Sequence, residues 1–437
     1  MRRLLLLMTT QTYRATAFLN AARRLGVSVV VGSERPQALA AANPAGHLTL
    51  DFFAPEEATR TIVEYAQTHR IDAVVAADDD GTILAAMASA ALGLPHNPVA
   101  AVEDARNKYR MRQRLAAAGL PGPRFWRFAI DRDPADMARQ VSYPCVVKPL
   151  SLSASRGVIR ADDPAQFVAA FHRLIAILQQ REILASRGAA ACEILVETFI
   201  PGPEVALEGL LTDGRLRVLT IFDKPDPLDG PFFEETIYVT PSRFPRPVQE
   251  AIVASVSAVT AALGLRHGPV HAELRVNEHG PWLLEIAPRS IGGLCSYALR
   301  FADGISLEEV LLRHALGLDV TCLERERVAS GVMMIPIPQA GILRQVSGQE
   351  EARRVPGIED VRITIPVGRE VVPLPEGSRY LGFIFARAET PHGVEMALRE
   401  AHRQLSFVIT PAQASHEQQE SQGSVTSRVD PLRLVQP

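Results

Sequence analysis

The sequence predicts a multidomain protein that combines an α/β unit with α+β units, and three observations support this. The chain has 437 residues, of which 47% are hydrophobic, which is enough for more than one core. Strand-like and helix-like segments alternate over residues 1–105, whereas strand-like segments dominate from residue 193 onward. We therefore expect a parallel sheet in the N-terminal unit and antiparallel sheets after it.

Residues 1–105 are predicted to form a Rossmann-like domain. The expected strands are 2–8, 27–33, 47–52 and 71–78, and the expected helices are 18–26, 56–69 and 82–93. This order is typical of a parallel sheet with helices on both faces. The first turn reads MTTQTYRAT and lacks the G-x-G-x-x-G pattern, so NAD binding is not expected.

The rest of the chain divides into two further predicted domains and a tail. Residues 106–319 are expected to form an α+β domain, with a small subdomain at about 115–190 that contains a helix over 164–184. Residues 330–412 form a smaller α+β domain in this prediction. Residues 413–437 are rich in Gln, Ser and Glu and are predicted to be disordered.

Composition excludes several classes of protein. The net charge is −3, from 46 basic and 49 acidic residues, which argues against a general nucleic-acid surface. The four cysteines are far apart and form no CxxC pair, so we expect a reducing, cytoplasmic compartment. The apolar run near the N-terminus is too short for a signal peptide, and no stretch is long enough to span a membrane.

The segment VVKPLSLSASRGV has the features of a phosphate-binding loop. An apolar strand ends at Lys148, and a loop of small residues follows with Ser153, Ser155 and Gly157. Small residues let backbone amides and hydroxyl groups approach phosphate oxygens, and the lysine adds a positive charge. The P-loop spacing is absent. A flexible turn would have the same composition, so this segment alone leaves both interpretations open.

The segment VETFIPGPE, at 196–204, has the features of a segment that binds a nucleoside. A strand that ends near Glu197 offers backbone groups and a carboxylate to an adenine edge, and Glu204 suits the two hydroxyl donors of a ribose. Two solvated glutamates beside a turn remain the alternative.

The segment HAELRVNEHGPWLLEIAPRSIGG, at 271–293, reads as a hairpin that carries Glu273, Glu285 and Arg289. If NEHGP is the turn, the two glutamates lie directly opposite each other on one face. Carboxylates at that distance repel unless a cation lies between them, and Mg²⁺ prefers oxygen ligands. The hairpin therefore predicts a magnesium site, with a solvated edge hairpin as the alternative.

Two other catalytic patterns are not supported by the sequence. His267 and His271 are four residues apart, but Gly268 and Pro269 between them break the helix that an H-E-x-x-H zinc site requires. No G-x-S-x-G motif indicates a serine nucleophile.

Taken in this order, the motifs resemble the ATP-grasp superfamily over residues 1–319. The resemblance implies a Rossmann-like domain followed by two α+β subdomains that hold ATP between them. It assigns Lys108 and Lys148 to the phosphates, Ser153, Ser155 and Gly157 to a mobile loop over the triphosphate, Glu197 with the backbone of Phe199 and Ile200 to adenine, Glu204 to ribose, Glu273 and Glu285 to the metal, and Arg289 to the transferring phosphate.

Three features are similar to the L-amino acid ligases that form dipeptides. Ala287 stands where many ATP-grasp enzymes have an Asn ligand, and that branch also reads E-x-A-x-R; residues 222–243 and 330–412 resemble it too. The resemblance implies ATP and Mg²⁺ (or Mn²⁺) as cofactors, and small-molecule carboxylate and amine substrates joined through an acyl phosphate. Nucleic acid and membranes are not expected as partners, and a homodimer is left open.

Lys224, Glu234 and Glu235 lie in a segment that is expected to face the acceptor pocket. We expect Glu235 or Glu234 to meet a substrate ammonium, with a solvated charged strand as the alternative. Two other functions remain open: a purine-pathway ligase that joins glycine to a phosphoribosyl amine, and a nucleotide-binding regulatory module without catalysis.

Overall fold

The chain begins with the parallel sheet that the sequence predicts. In this computed structural model, which describes residues 2–36 and 46–411, the first elements are β1 (Arg3–Leu7), α1 (Ala15–Arg24), β2 (Ser28–Ser33), β3 (His47–Thr49), α2 (Pro55–Thr68), β4 (Ala73–Ala76) and α3 (Thr82–Ala91). The strands pair in parallel in the order β3-β2-β1-β4. Residues 4–7 of the central strand are fully buried because helices cover both faces of the sheet. The tail predicted at 413–437 lies outside the described residues.

Two helices lead from this sheet into the next unit: α4 (Val99–Arg106), which the sequence did not predict, and α5 (Lys108–Ala117). Asn107 caps α5, because its side-chain oxygen accepts hydrogen bonds from the backbone amides of Tyr109 and Arg110, each at 3.1 Å. This cap fixes Lys108 at the first turn of α5.

A small subdomain follows, built on an antiparallel sheet in the order β5-β8-β6-β7. Its elements are β5 (Phe125–Ala129), α6 (Pro134–Ala138), β6 (Cys145–Pro149), β7 (Ile159–Ala161), α7 (Pro164–Leu178), α8 (Arg181–Arg187) and β8 (Glu193–Thr198). The single helix predicted over 164–184 is two helices. The chain leaves helical geometry at Gln180, where ψ is 135°, within a polar run that has no apolar face to continue α7.

A large antiparallel sheet follows the small subdomain. Its first strands are β9 (Glu204–Thr212), β10 (Arg215–Lys224), β11 (Ile237–Thr240), β12 (Gly268–Asn277) and β13 (Gly280–Ala287), and α9 (Arg246–Leu263) connects β11 to β12. A separate two-stranded sheet of β14 (Arg300–Phe301) and β15 (Ile305–Ser306) follows, and then α10 (Leu307–Ala315). The apolar face of α9 packs on the large sheet through residues such as Ile252 and Val256. The strand β13 lies at the edge of the sheet.

The C-terminal region continues this sheet. It contains β16 (Ala329–Ile335), β17 (Gly341–Ser347), α11 (Gln349–Arg353), β18 (Ile358–Ile363), β19 (Glu370–Val371), β20 (Gly382–Ala388), α12 (Pro391–Gln404) and β21 (Ser406–Thr410). Because β11 pairs with β16, one eight-stranded sheet runs in the order β13-β12-β9-β10-β11-β16-β20-β18. A separate small sheet has the order β19-β17-β21. The domain boundaries expected from the sequence stay predictions. Among the described residues, no helix is both long and apolar enough to cross a membrane.

Candidate active site

The hairpin of β12 and β13 places its two glutamates opposite each other, as predicted, but its turn differs from the predicted one. Glu273 lies directly opposite Glu285. However, Asn277 pairs with Gly280, so the turn has two residues and the predicted five-residue turn NEHGP is wrong. A two-residue turn alone would put the glutamates on opposite faces.

A β-bulge restores the register of this hairpin. The pairing shifts between Glu273 and Leu274, and Leu274 faces Leu283, which leaves Leu284 as the extra residue on β13. Pro281 therefore belongs to β13 and not to a loop. An edge strand tolerates proline because its outer side makes no ladder hydrogen bonds.

The glutamate pair faces a cavity between the small subdomain and the large sheet. Eleven of the twelve predicted site residues line it: Lys108, Lys148, Ser153, Ser155, Glu197, Phe199, Ile200, Glu204, Glu273, Glu285 and Arg289. We call it the nucleotide cavity, after the ligand that the sequence predicts for these residues. The structure therefore brings together residues that are up to 181 positions apart in the chain, from 108 to 289.

Gly157 does not line the nucleotide cavity. Its backbone amide donates to the carbonyl of Pro375 at 2.9 Å, and its φ is 72°. A Cβ at this position would lie 2.7 Å from Cδ1 of Leu174 on α7. The glycine thus serves the close packing and the left-handed backbone of the loop. Its assignment to the loop over the triphosphate stays a prediction.

At the cavity wall, two cations share one buried carboxylate. Glu197 accepts from Nε of Arg112 at 2.6 Å and lies 2.5 Å from Nζ of Lys148. We call these three residues the cation-rich cluster. Burial opposes ionisation, but Arg112 and Lys148 hold the pKa of Glu197 at about 2. Burial, with the repulsion of Arg112, lowers the pKa of Lys148, so this ammonium lacks a full counter-charge.

The second predicted phosphate lysine is positioned by the hairpin. The Lys108 ammonium donates to the carbonyl of Leu152 at 2.8 Å and to Oε1 of Glu285 at 3.2 Å. The lysine therefore links α5 to the small-residue loop and to one of the predicted metal ligands.

Elsewhere in the cavity wall, three carboxylates surround one lysine. The Lys224 ammonium lies 2.6 Å from Glu204 and 3.4 Å from Glu273, and it also pairs with Glu235. We call these four residues the carboxylate-rich cluster. Arg275 gives Glu204 a second cationic partner, at 3.3 Å. Burial, with the neighbouring Glu273, raises the pKa of Glu235 to about 7.

His271 fixes one of the predicted metal ligands. Its Nε2 lies 3.1 Å from Oε1 of Glu273, and its Nδ1 bonds to Glu208 on β9. Burial alone would lower the pKa of His271, but the two carboxylates raise it to about 9. The other histidine of the pair weighed in the sequence, His267, instead stacks on His314 with ring centroids 4.5 Å apart.

Arg289 is held from the N-terminal domain. Its Nη2 donates to Oδ2 of Asp79 at 2.8 Å, and Arg106 pairs with the same carboxylate at 2.7 Å. Burial opposes ionisation of Asp79, but Arg289 and Arg106 keep its pKa below the usual range. The sequence reasoning missed Asp79, although the run DDD directly after a parallel strand was a usable signal.

A second cavity adjoins the first. It shares Ser153, Glu235, Glu273 and Arg289 with the nucleotide cavity. Parts of its other walls come from the N-terminal domain, with residues 11–14 and 77–80, from residues 291–293, and from the C-terminal region, with residues 378–380. The two cavities thus meet at Glu273 and Arg289.

Family comparisons agree with this geometry. Residues 141–298 match the ATP-grasp domain, residues 19–96 match the ATP-grasp N-terminal domain, and residues 333–410 match the L-amino acid ligase C-terminal domain 2. Together these three matches extend over the N-terminal, central and C-terminal regions of the chain.

Individual proteins show the same relationship. The alanine–anticapsin ligase of Bacillus amyloliquefaciens is 26% identical over 62% of this chain and 58% of its own length. The crystal structure of an L-amino acid ligase from Bacillus licheniformis has a TM-score of 0.78 at 28% identity, covering 94% of this chain and 99% of that one. Phosphoribosylglycinamide synthetase from Anaerococcus prevotii, at 14% identity and a TM-score of 0.66 over 94% and 100% of the two chains, shares the fold.

The match covers 58% to 66% of the length of the first curated relatives. The three domain matches, the shared architecture and the placement of the motif residues nevertheless point to one family. The chain belongs to the ATP-grasp superfamily, and it is similar to the L-amino acid ligases within it.

Proposed function

We propose that this protein is an ATP-dependent carboxylate–amine ligase that joins amino acids. The observation that supports it best is the meeting of two cavities at Glu273 and Arg289. One cavity offers cations, carboxylates and a small-residue loop to a nucleotide, and the other offers space for the reacting substrates. The relatives named as ligases support the same class of reaction.

The residues at the nucleotide cavity fit a magnesium–ATP complex. Glu273 and Glu285 are hard oxygen donors on facing strands, and they would hold Mg²⁺, which neutralises phosphate charge when bound. In this proposal Lys108 and Lys148 bind phosphate oxygens, and the loop with Ser153 and Ser155 covers them. The amide of Phe199 donates to Pro144 and the carbonyl of Ile200 accepts from Arg275, which fixes the rim where adenine would bind.

The proposed chemistry overcomes the inertness of a carboxylate toward an amine. A substrate carboxylate oxygen attacks the γ-phosphorus of ATP, the bond to the ADP oxygen breaks, and an acyl phosphate forms. Arg289 stabilises the transferring phosphoryl group from the wall common to both cavities. The substrate ammonium loses a proton to solvent, the resulting amine attacks the acyl carbon, and inorganic phosphate leaves. The products are therefore an amide, ADP, phosphate and a proton.

Glu235 is the better candidate for the substrate ammonium. Its carboxylate lines both cavities, whereas its neighbour Glu234 lines neither and interacts with the backbone of Ile337. Because Glu235 shares Lys224 with two other carboxylates, a substrate ammonium would supply the missing positive charge.

The two alternatives have weaker support. A purine-pathway ligase needs a cationic site for a sugar phosphate. Of the three arginines that line the second cavity, Arg14 and Arg289 are already paired with Glu308 and Asp79, which leaves Arg379 for that role. The similarity to phosphoribosylglycinamide synthetase shows the fold alone. A regulatory module would not need the full set of lysines, facing carboxylates and arginine at the junction of the cavities.

The direct test combines ATP, Mg²⁺ and pairs of amino acids, and it measures phosphate release together with the mass of the product. We expect dipeptide formation with a subset of pairs. Glu285→Ala should lower kcat by about 10³-fold, since it removes several kcal/mol of charge stabilisation. The matched control is Glu278→Ala, an exposed glutamate in the turn of the same hairpin, which should leave kcat unchanged. Phosphate release without any amide product, or an active Glu285→Ala variant, contradicts the proposal.

A further inference from the structure

A segment of the C-terminal region reaches across the molecule to the small subdomain. Residues 372–380, which we call the strap, connect β19 to β20. The carbonyl of Pro375 accepts from the Gly157 amide at 2.9 Å, and the carbonyl of Glu376 accepts from Nε of Arg156 at 2.8 Å. Both donors belong to the small-residue loop between β6 and β7, so the strap bonds directly to the loop that is expected to cover ATP.

A paired side chain strengthens this contact. The Glu376 carboxylate accepts two hydrogen bonds from Arg173 on α7, from Nε at 2.5 Å and from Nη2 at 3.0 Å. This hydrogen bonding to Arg173 lowers the pKa of Glu376 and raises that of Arg173. Two-pronged arginine–carboxylate pairs fix direction as well as distance. The strap is therefore held against α7 in a defined orientation.

The loop under the strap has an unfavourable backbone. Ala154 and Ser155 have φ values of 56° and 53°, and Gly157 has a φ of 72°. The left-handed region is unfavourable for residues that carry a Cβ, so this loop needs contacts from outside to keep its shape. Ala154 and Ser155 line the nucleotide cavity, and the strap supplies such contacts one to two residues further along, at Arg156 and Gly157.

The other end of the strap lies at the second cavity. Ser378, Arg379 and Tyr380 line that cavity, opposite residues of the N-terminal domain. One continuous segment of nine residues therefore touches the proposed substrate space and the proposed ATP loop.

We propose that the strap holds the small-residue loop closed over the nucleotide, and that Glu376 is a positioning residue that acts through Arg173 and the loop backbone. This inference rests on the proposed function in one respect, namely that the loop covers ATP phosphates. Loss of the Glu376–Arg173 pair frees the loop, which weakens nucleotide binding and lets water reach the acyl phosphate. The C-terminal region thus controls closure of the small subdomain.

The test uses the full chain with Glu376→Gln and Glu376→Ala. We expect faster hydrogen exchange over residues 150–158, measured without nucleotide and with Mg-ADP, and a KM for ATP raised about fivefold. The ratio of phosphate released to amide formed should also rise. The matched control is Glu350→Gln, because Glu350 pairs with Arg353 at 2.7 Å within α11 of the same region.

A charge exchange separates positioning from a general loss of stability. Arg173→Glu and Glu376→Arg should each speed exchange of the loop, and the double variant should recover part of the protection. Unchanged exchange and an unchanged KM in both Glu376 variants would overturn the inference. Hydrogen exchange without nucleotide and with Mg-ADP needs no product, so it tests the strap even if the protein forms no amide.

Discussion

Two buried ion clusters lie at the nucleotide cavity, and they are opposite in charge balance. In the cation-rich cluster, Arg112 and Lys148 share Glu197. In the carboxylate-rich cluster, three carboxylates share Lys224. Both are built from glutamates and cations, so residue type alone does not separate them. The difference lies in the sign of the central group: one carboxylate, Glu197, pairs with two cations, whereas one ammonium, Lys224, pairs with three carboxylates.

The two clusters respond to this imbalance in opposite ways. The pKa of Glu197 falls to about 2, while that of Glu235 rises to about 7. Buried charge is unfavourable unless it is paired, so each cluster favours a ligand of the opposite sign. A surplus of positive charge at Lys148 suits phosphate, and a surplus of carboxylates at Glu235 and Glu273 suits Mg²⁺ and an ammonium.

The largest expected effect comes from removing the shared carboxylate of the cation-rich cluster. Glu197→Gln leaves Arg112 and Lys148 buried without an anion, so the free energy of unfolding should fall by about 3–5 kcal/mol. Denaturation in urea measures this change. Glu193→Gln, at the start of the same strand, breaks an ion pair with Arg127 that is about one-third exposed on the glutamate side, and should cost less than about 1 kcal/mol. Equal losses in the two variants would contradict a special role for the buried cluster.

The pH dependence of stability gives a second measure of the same cluster. The pKa of Glu197 is lowered from its ordinary 4.5 to about 2 in the folded protein. Its contribution is therefore fully present above pH 4.5 and is lost as the pH falls toward 2. The difference amounts to about 3 kcal/mol. The unfolding free energy of the wild type should decline over this range, and the Glu197→Gln variant should decline less steeply. Parallel curves for the two proteins would show that Glu197 does not titrate with folding.

Local patterns in the sequence predicted most of the architecture and the lining of the nucleotide cavity. The run at residues 4–7 predicted a buried parallel strand because it is apolar on both faces. The order of lysine, small-residue loop and paired glutamates predicted which segments converge. These features depend on neighbours within a few positions, which a single sequence displays directly.

The features that the sequence missed depend on distant partners. Asp79 binds Arg289 across 210 positions, and Arg112 binds Glu197 across 85. The bulge at Leu284 could not be read from alternation, because an extra residue in a strand changes the register without changing the pattern. The pairing of β11 with β16 was also missed, because tertiary packing between distant segments sets the order of strands in a sheet.

The smallest expected effect concerns the carboxylate-rich cluster. Glu235→Gln removes one of three carboxylates around Lys224, and the lysine keeps Glu204 and Glu273 as partners. The unfolding free energy should therefore change by less than about 1 kcal/mol, in contrast to Glu197→Gln. The KM for the amine substrate should rise about tenfold, because a charged hydrogen bond to its ammonium is lost.

Glu234→Gln is the matched control for this change, because Glu234 is adjacent in sequence but lines neither cavity. Steady-state kinetics at saturating ATP separates the two variants. If the KM for the amine is unchanged in Glu235→Gln, Glu235 does not bind the substrate ammonium. Its negative charge would then serve only the metal ion. A raised KM with unchanged stability means instead that the cluster holds a carboxylate in excess of what folding requires, because that carboxylate serves the ligand.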